Sequence, residues 1–328
     1  MSALGDLLRR RSADLVRHEP QPGVTYPEVL IVEDPLGPRW RVVALGVGGA
    51  LLGVATFYAL TPVVIYSVVG LGWALAGTPG PFNEFLAAAA RYELPAGMFA
   101  TNLGLAVLAP IAMALVLVLH HFRPRWLHSV QPGFRWRYAL ACLLAATAVL
   151  GGLWAASRWD QPWVFAPERD AWWFLLAIVF TSPLQAAAEE YFFRGYLIQA
   201  LHSVAPTSPW FGVFGSAAVF ALLHGTQNLP LFLYRFAFGV LAGVLVVRTG
   251  GLEAAIAAHV VNNVVAYGYA VVSGTVAEVH AVNEIGWVEL GWSLAGFAGF
   301  AAIAVWIARR MAVATTTPGV RFGGPDEV

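Results

Sequence analysis

Two adjacent glutamates and an arginine lie in the middle of an apolar stretch that is long enough to cross a membrane. They are Glu189, Glu190 and Arg194, and the stretch covers residues 171–201. A charged side chain at the centre of a bilayer costs about 2.5–3.5 kcal/mol on insertion scales. Such residues therefore indicate a functional site when partners for them can be named. Glu190 and Arg194 are four residues apart, so on a helix they are neighbours and can form an ion pair.

Glu189 points about 100° away from Glu190 around its helix, and is therefore free to face a different neighbour. Three more polar residues occur in later apolar stretches. His224 ends the next stretch, and His259 and Asn263 share one face of a later stretch because they are four residues apart. We expect Glu189, His224, His259 and Asn263 to converge from three helices on one polar pocket.

This set of side chains matches the requirements of amide-bond hydrolysis. A carboxylate and a histidine can together hold and deprotonate a water molecule. A second histidine and an asparagine amide can donate hydrogen bonds to an oxyanion. Glu189, His224 and His259 also match a zinc ligand set with one open position. The sequence leaves both the zinc-dependent and the metal-free mechanism open.

Other interpretations of the same residues compete with this one. The glutamates would also serve in a purely structural ion network, and each histidine alone is typical of a satisfied buried side chain. A proton-coupled transporter would use a Glu/His cluster as a relay, but the chain shows no internal repeat. The predicted spans contain no aspartate, and neither His-Glu-x-x-His nor Gly-x-Ser-Gly occurs. These absences exclude the other intramembrane protease chemistries.

Composition defines the broad class of the protein. Hydrophobic residues make up 59% of the chain, charged residues only 12%, and the mean hydropathy is +0.67. Soluble chains carry about 25% charged residues, so this is a polytopic membrane protein whose constant partner is the lipid bilayer. The formal net charge is zero, and we expect no nucleic-acid partner. The single cysteine, Cys142, excludes an internal disulfide.

The apolar stretches predict an all-α bundle of about eight membrane spans, since one span needs about 20 residues. The polar residues 1–40 form an N-terminal arm, with a basic amphipathic helix expected at 3–17. Residues 41–310 form the integral domain, and 311–328 are expected to be a disordered tail. A further amphipathic helix is expected at 82–92. The predicted spans are 42–68, 97–119, 138–156, 171–194, 209–224, 230–247, 251–272 and 287–308.

Arginine placement predicts the orientation of this bundle. With the N-terminus in the cytoplasm, fourteen arginines fall on the cytoplasmic side and three on the outer side. Positive charge accumulates in cytoplasmic loops, so we expect both termini in the cytoplasm. All nineteen basic residues are arginine, which indicates a GC-rich bacterial genome and hence a bacterial plasma membrane.

Taken in order, the motifs resemble one known family. Glu-Glu-x-x-x-Arg at 189–194, Phe-x-x-x-His at 220–224 and His-x-x-x-Asn at 259–263 are similar to those of the CPBP family. This is the CAAX protease and bacteriocin-processing (Abi) family, which includes the type II CAAX prenyl endopeptidases. The resemblance covers about residues 170–272, the core of that family.

The resemblance implies a role for each motif residue. Glu189 and His224 would activate water, and His259 and Asn263 would bind the oxyanion. Glu190 and Arg194 would support the site structurally. The chain would then be an intramembrane endopeptidase acting on a membrane-associated protein or peptide, with or without zinc. The alternative within the same family is a non-catalytic member that binds or escorts another membrane protein.

Overall fold

Helices make up almost all of the regular structure. The computed structural model describes residue 16 and residues 18–31, 39–131 and 133–319. The described residues form two short 3-10 turns, Tyr26–Glu28 and Pro124–Leu127. They also form ten helices. In chain order these are α1 Arg39–Leu75, α2 Phe82–Ala90, α3 Pro95–Leu119, α4 Trp136–Ser157, α5 Ala171–His202, α6 Trp210–Leu222, α7 Leu229–Thr249, α8 Glu253–Ser273, α9 Val276–His280 and α10 Trp287–Arg310.

The all-α, polytopic fold predicted from the apolar stretches is confirmed. Seven of the described helices are long and apolar enough to cross a membrane: α1, α3, α4, α5, α7, α8 and α10. The expected fifth span at 209–224 is instead the shorter helix α6, of thirteen residues. At 1.5 Å per residue, α6 is about 20 Å long, against about 30 Å of hydrocarbon. The predicted orientation of the two termini stays a prediction.

Helix α5 lies at the centre of the bundle. It packs against α3 on one side and against α8 on another, and its C-terminal end contacts α1 and α6. Helix α8 also packs on α4, while α7 lies between α6 and α10. This arrangement places the three motifs, carried by α5, by the end of α6 and by α8, around one interior region.

Small residues allow α1 to approach α5 closely. A Cβ atom at Gly46 would lie 2.4 Å from the backbone oxygen of Ala200, and one at Gly53 would lie 2.7 Å from the ring of Phe192. Neither distance permits a side chain. Close approach through small residues is how membrane helices associate when lipid removes the hydrophobic driving force. Helix α1 therefore supports the segment of α5 that follows the glutamates.

The N-terminal arm folds onto the loop between α3 and α4. Tyr26 is fully buried, and its hydroxyl donates a hydrogen bond of 2.5 Å to the backbone oxygen of Leu127. Thr25 and Glu28 form a capping box around this turn. Burial raises the pKa of Tyr26 well above its usual value, so its hydroxyl stays protonated and keeps donating. The amphipathic helix expected at 3–17 lies outside the described residues except for residue 16.

The C-terminal segment joins the same arm, which differs from the disordered tail expected after residue 310. Thr316 forms a bridge with Thr25, and the backbone nitrogen of Thr317 donates to Val24. The Thr317 hydroxyl donates to the backbone oxygen of Gln21 at 2.5 Å and accepts from the Val24 nitrogen at 3.0 Å. The polar groups of these two segments form hydrogen bonds with one another. Amino-acid composition alone does not indicate such a contact. Residues 320–328 lie outside the described part.

Replacing Thr317 with valine should loosen this contact between the termini without unfolding the bundle. Valine keeps the shape but removes both hydroxyl hydrogen bonds, a loss of roughly 0.5–1.5 kcal/mol for each bond. We expect amide hydrogen exchange at residues 21, 23 and 24 and at residues 313–317 to accelerate about tenfold or more. Exchange in α5 should not change, and exchange that accelerates equally throughout would contradict a local contact.

Candidate active site

The first motif lies where the helical geometry of α5 changes. Residues Ala171–Glu189 are α-helical, and Glu190–Leu197 form a π-helical segment before the α-helix resumes. Such π-turns inside α-helices occur frequently at functional sites. All eight residues of the π segment are buried. Glu189 and Glu190 therefore occupy the junction at which the two backbone geometries meet.

Glu190 holds two hydrogen-bond donors at one oxygen. Its Oε1 accepts from Arg194 Nη1 at 3.1 Å and from His259 Nδ1 at 2.7 Å. Glu190 and Arg194 are both fully buried. The expected ion pair within α5 is thus present, and the same carboxylate also fixes the His259 ring of α8. Glu190 links two of the three motifs.

Aromatic rings surround the guanidinium of Arg194. Its Cζ lies 4.2 Å from the ring centre of Phe220 and 5.3 Å from that of Phe238. Nε and Nη2 of Arg194 are buried without a hydrogen-bond partner among the described residues. Attraction between the cation and the ring faces takes the place of those bonds. A Cβ at Gly239 would lie 3.3 Å from Arg194 Nη2, so a larger residue there would crowd the charge.

Phe220 brings the two histidines of the site together. Its ring centre lies 4.5 Å from that of His224 and 6.3 Å from that of His259. His224 Nδ1 lies 2.7 Å from the backbone oxygen of Phe220. Because a carbonyl oxygen only accepts, Nδ1 carries the proton in the neutral ring and Nε2 keeps its lone pair. His224 is exposed, so Nε2 can receive a proton.

Glu189 is held at only one of its two oxygens. Oε1 accepts from Gln185 Nε2 at 2.7 Å, whereas Oε2 lies 3.6 Å from His259 Nε2. The latter distance is too long for a hydrogen bond. Glu189 also interacts electrostatically with His224. The remaining carboxylate oxygen therefore lies near the His259 ring without a hydrogen bond to it.

Gln185 connects Glu189 to the third motif, and the motif pattern did not include it. Its Oε1 accepts from Asn263 Nδ2 at 2.9 Å. Gln185 is buried and precedes Glu189 by four residues, so a polar residue on the same helical face was the signal that could have identified it. One of the two amide hydrogens of Asn263 is therefore bonded to Gln185. The other is available for a further hydrogen bond.

The neighbour of Asn263 joins two helices. Tyr234 on α7 donates from its hydroxyl to Asn262 Oδ1 on α8 at 2.9 Å. Asn262 Nδ2 lies 3.4 Å from Asn263 Oδ1. Asn262 therefore bonds α8 to α7.

The structure gathers the sequence-predicted residues to different degrees. Glu189, Glu190, Arg194 and His259 are in direct contact, Asn263 reaches Glu189 through Gln185, and His224 joins through Phe220. Among the described residues, no group of three or more His, Cys, Asp or Glu side chains is arranged to hold a metal ion. As placed, Glu189, His224 and His259 thus do not fit a metal centre, and zinc at this site stays a prediction.

A membrane-embedded helical bundle with buried carboxylate, histidine and arginine groups is the class of protein that the fold and site define. Residues 171–265 match the family model for "Type II CAAX prenyl endopeptidase Rce1-like". This match confirms the resemblance that the three motifs carry, and it supports the assignment of residues 171–265 to the CAAX protease family.

One curated relative adds a partial match. A stretch of 97 residues is 31% identical to "Uncharacterized protein YyaK" of Bacillus subtilis (strain 168). The stretch covers 28% of this chain and 32% of that protein, so the chain spans about a third of the relative's length. No solved structure matches.

Proposed function

We propose that the protein is an intramembrane endopeptidase that hydrolyses a peptide bond of a membrane-associated protein or peptide. Water is activated by Glu189 and His224. The observation that carries the proposal is the pair of available acceptors, Glu189 Oε2 and His224 Nε2, on side chains whose other polar atoms are already bonded. Membership of residues 171–265 in a protease family supports the same chemistry.

The two acceptors give a water molecule a defined orientation. Water that donates one hydrogen to Glu189 and the other towards His224 keeps an oxygen lone pair for attack on the carbonyl carbon. As the C–O bond forms, one of the two bases takes the proton. The tetrahedral intermediate then breaks its C–N bond, and the same proton passes to the leaving amine. Hydrolysis consumes one water molecule and leaves both side chains in their starting protonation states.

The developing oxyanion has two candidate donors across the site. Asn263 has one amide hydrogen that is not used by Gln185. His259 Nδ1 donates to Glu190, so Nε2 donates only when the ring carries both protons. Donors fixed before the reaction stabilise the transition state most, because they need not reorganise. The Glu190–Arg194 pair holds His259 in this position.

The proposal extends to the substrate and the membrane. The proposed location is a bacterial plasma membrane, because all of the basic residues are arginine. Prenylated proteins are poor candidates in a bacterium, so bacteriocin-like peptides or the tails of membrane proteins are the proposed substrates. Zinc held by Glu189, His224 and His259 stays a prediction that the placement of these residues does not favour, and no step above passes through it.

The test compares newly formed protein termini in cells that produce the wild type or Glu189→Gln. Glutamine keeps the shape of the side chain and its bond to Gln185 but removes the base. We expect the wild-type-dependent termini to disappear, with cleavage slowed by about 10²–10⁴. Metal analysis of the same purified proteins, with and without chelator, tests zinc.

Glu278→Gln is the matched control, because Glu278 is exposed on the short helix α9 and the charge change is the same. It should leave every cleavage unchanged. Glu189→Gln protein must also be inserted in the membrane and melt as the wild type does. A folded Glu189→Gln protein that cleaves at the wild-type rate would refute the proposal. A wild type that binds another membrane protein but cleaves none would favour the escort alternative.

A further inference from the structure

The loop between α6 and α7 folds back over the end of α6. It comprises residues 223–228 and carries His224. His224 Nδ1 and Gln227 Nε2 lie 2.7 Å from the backbone oxygens of Phe220 and Ala221, respectively. These oxygens belong to the last turn of α6, where carbonyls lack partners within the helix. The conformation of this loop therefore sets the direction of the His224 ring.

Arg235 holds the loop from the side of α7. Its Nη1 donates to Gln227 Oε1 at 2.7 Å and lies 3.5 Å from the backbone oxygen of His224. Gln227 thus uses its amide oxygen for Arg235 and its amide nitrogen for Ala221. The result is a continuous link from a side chain of α7, through Gln227, to the last turn of α6. No partner for Arg235 is evident from the sequence, whereas the structure places Gln227 against it.

Asn228 anchors the other end of the loop. Its side-chain oxygen caps α7 by accepting from the Leu231 nitrogen at 3.0 Å. Its side-chain nitrogen donates to the backbone oxygen of Ile285 at 2.9 Å, and its backbone nitrogen donates to Asn283. The end of the loop at residue 228 is therefore held by a cap and a neighbouring segment, and residues 224–227 depend on Arg235.

We propose that Arg235, acting through Gln227, is a positioning residue that fixes the orientation of His224. The inference rests on the proposed function, because it concerns one of the two side chains that are proposed to activate water. The His224 side chain is exposed and has a single hydrogen bond, at Nδ1, so packing alone does not hold it. A misplacement of about 1 Å at a catalytic group can cost a factor of about 10² in rate.

The test is a double-mutant cycle on Arg235→Ala and Gln227→Ala, with a substrate identified by its Glu189-dependent cleavage. Each single variant should lower kcat by about tenfold to hundredfold and leave KM within about twofold. The double variant should be no slower than either single one, because residues that act through one link are not additive. Arg235→Lys keeps a charged donor for Gln227 and should recover most of kcat.

Arg248→Ala is the control, because Arg248 is exposed near the end of the same helix and loses the same charge. Its kcat and KM should equal those of the wild type. A change in KM alone would mean that Arg235 contacts substrate instead, and multiplicative effects of the two variants would mean that the link through Gln227 does not exist. Either result overturns the inference while leaving the proposed function intact.

A second readout does not depend on catalysis. Nitrogen chemical shifts of a ¹⁵N-labelled imidazole distinguish the two tautomers, and the His224 signals are identified by their loss in His224→Gln. Wild-type His224 should show the Nδ1–H tautomer, and Arg235→Ala should show a mixture. Unchanged shifts in Arg235→Ala would overturn the inference. If no substrate is cleaved in a Glu189-dependent manner, the proposed function fails and this measurement still decides the role of Arg235.

Discussion

Replacing Arg194 with alanine should lower the free energy of unfolding by about 3–5 kcal/mol, since removing one partner of a buried ion pair leaves the other charge uncompensated. Glu190 would then keep only His259 as a partner inside the bundle. Arg194 is fully buried, so water cannot replace it without opening the helices. The free energy of unfolding is measured by titrating the protein in mixed micelles with SDS, under conditions in which unfolding is reversible.

Arg194→Lys should recover little of this loss. Two of the three guanidinium nitrogens lack acceptors, and the group faces the rings of Phe220 and Phe238 instead. A flat guanidinium stacks on rings and pairs with a carboxylate at the same time, whereas an ammonium is a strongly hydrated point charge. Full stability in Arg194→Lys would show that charge alone matters.

The exposed pair Arg91–Glu93 provides the control. Its Nε–Oε1 distance is 2.6 Å, shorter than in the buried pair, but the side chains are 60% and 47% exposed. An exposed ion pair contributes roughly 0–1 kcal/mol, so Arg91→Ala should change stability by less than about 1 kcal/mol. Equal effects of Arg91→Ala and Arg194→Ala would contradict the importance of burial.

Replacing Phe220 with alanine should destabilise the fold by about 3–5 kcal/mol, the usual cost of removing a buried aromatic ring. It should also abolish cleavage, because the ring contacts His224, His259 and Arg194. Phe220→Leu fills part of the space and should recover stability more than activity. Cleavage and SDS-induced unfolding of each variant are the two measurements.

Phe214→Ala tests whether any phenylalanine of α6 has this effect. Phe214 lies on the same helix and is 48% exposed, so its removal leaves little cavity. We expect a stability change below about 1 kcal/mol and unchanged cleavage. A Phe220→Ala protein that is as active as Phe214→Ala would show that the ring does not organise the site.

Much of the helical architecture is predictable because each span must be apolar along its whole length. The predicted spans lie within α1, α3, α4, α5, α7, α8 and α10 to within a few residues. Helix α6 matches its predicted bounds to within two residues, but its thirteen residues are too few to cross the hydrocarbon layer. Hydropathy records which residues avoid water, and it does not record where the backbone leaves the helix.

The candidate site divides in a similar way. The Glu190–Arg194 pair follows from a spacing of four residues on one helix. The bond from His259 to Glu190 depends on how α8 is rotated against α5, and the ring contacts of Arg194 depend on where α6 and α7 pass. Those are tertiary facts that no local pattern contains. Gln185 is intermediate, because its position four residues before Glu189 was visible but its bond to Asn263 was not.

The short helix α6 has a consequence for the surrounding lipid. Its length of about 20 Å is about 10 Å less than the thickness of the hydrocarbon layer. His224 lies two residues after the end of this helix. The lipid layer must become thinner there, or water must enter it. Thinning costs a fraction of a kcal/mol per ångström of mismatch. We therefore expect the acyl-chain length of the surrounding lipid to change the hydration of His224, one of the two residues proposed to activate water.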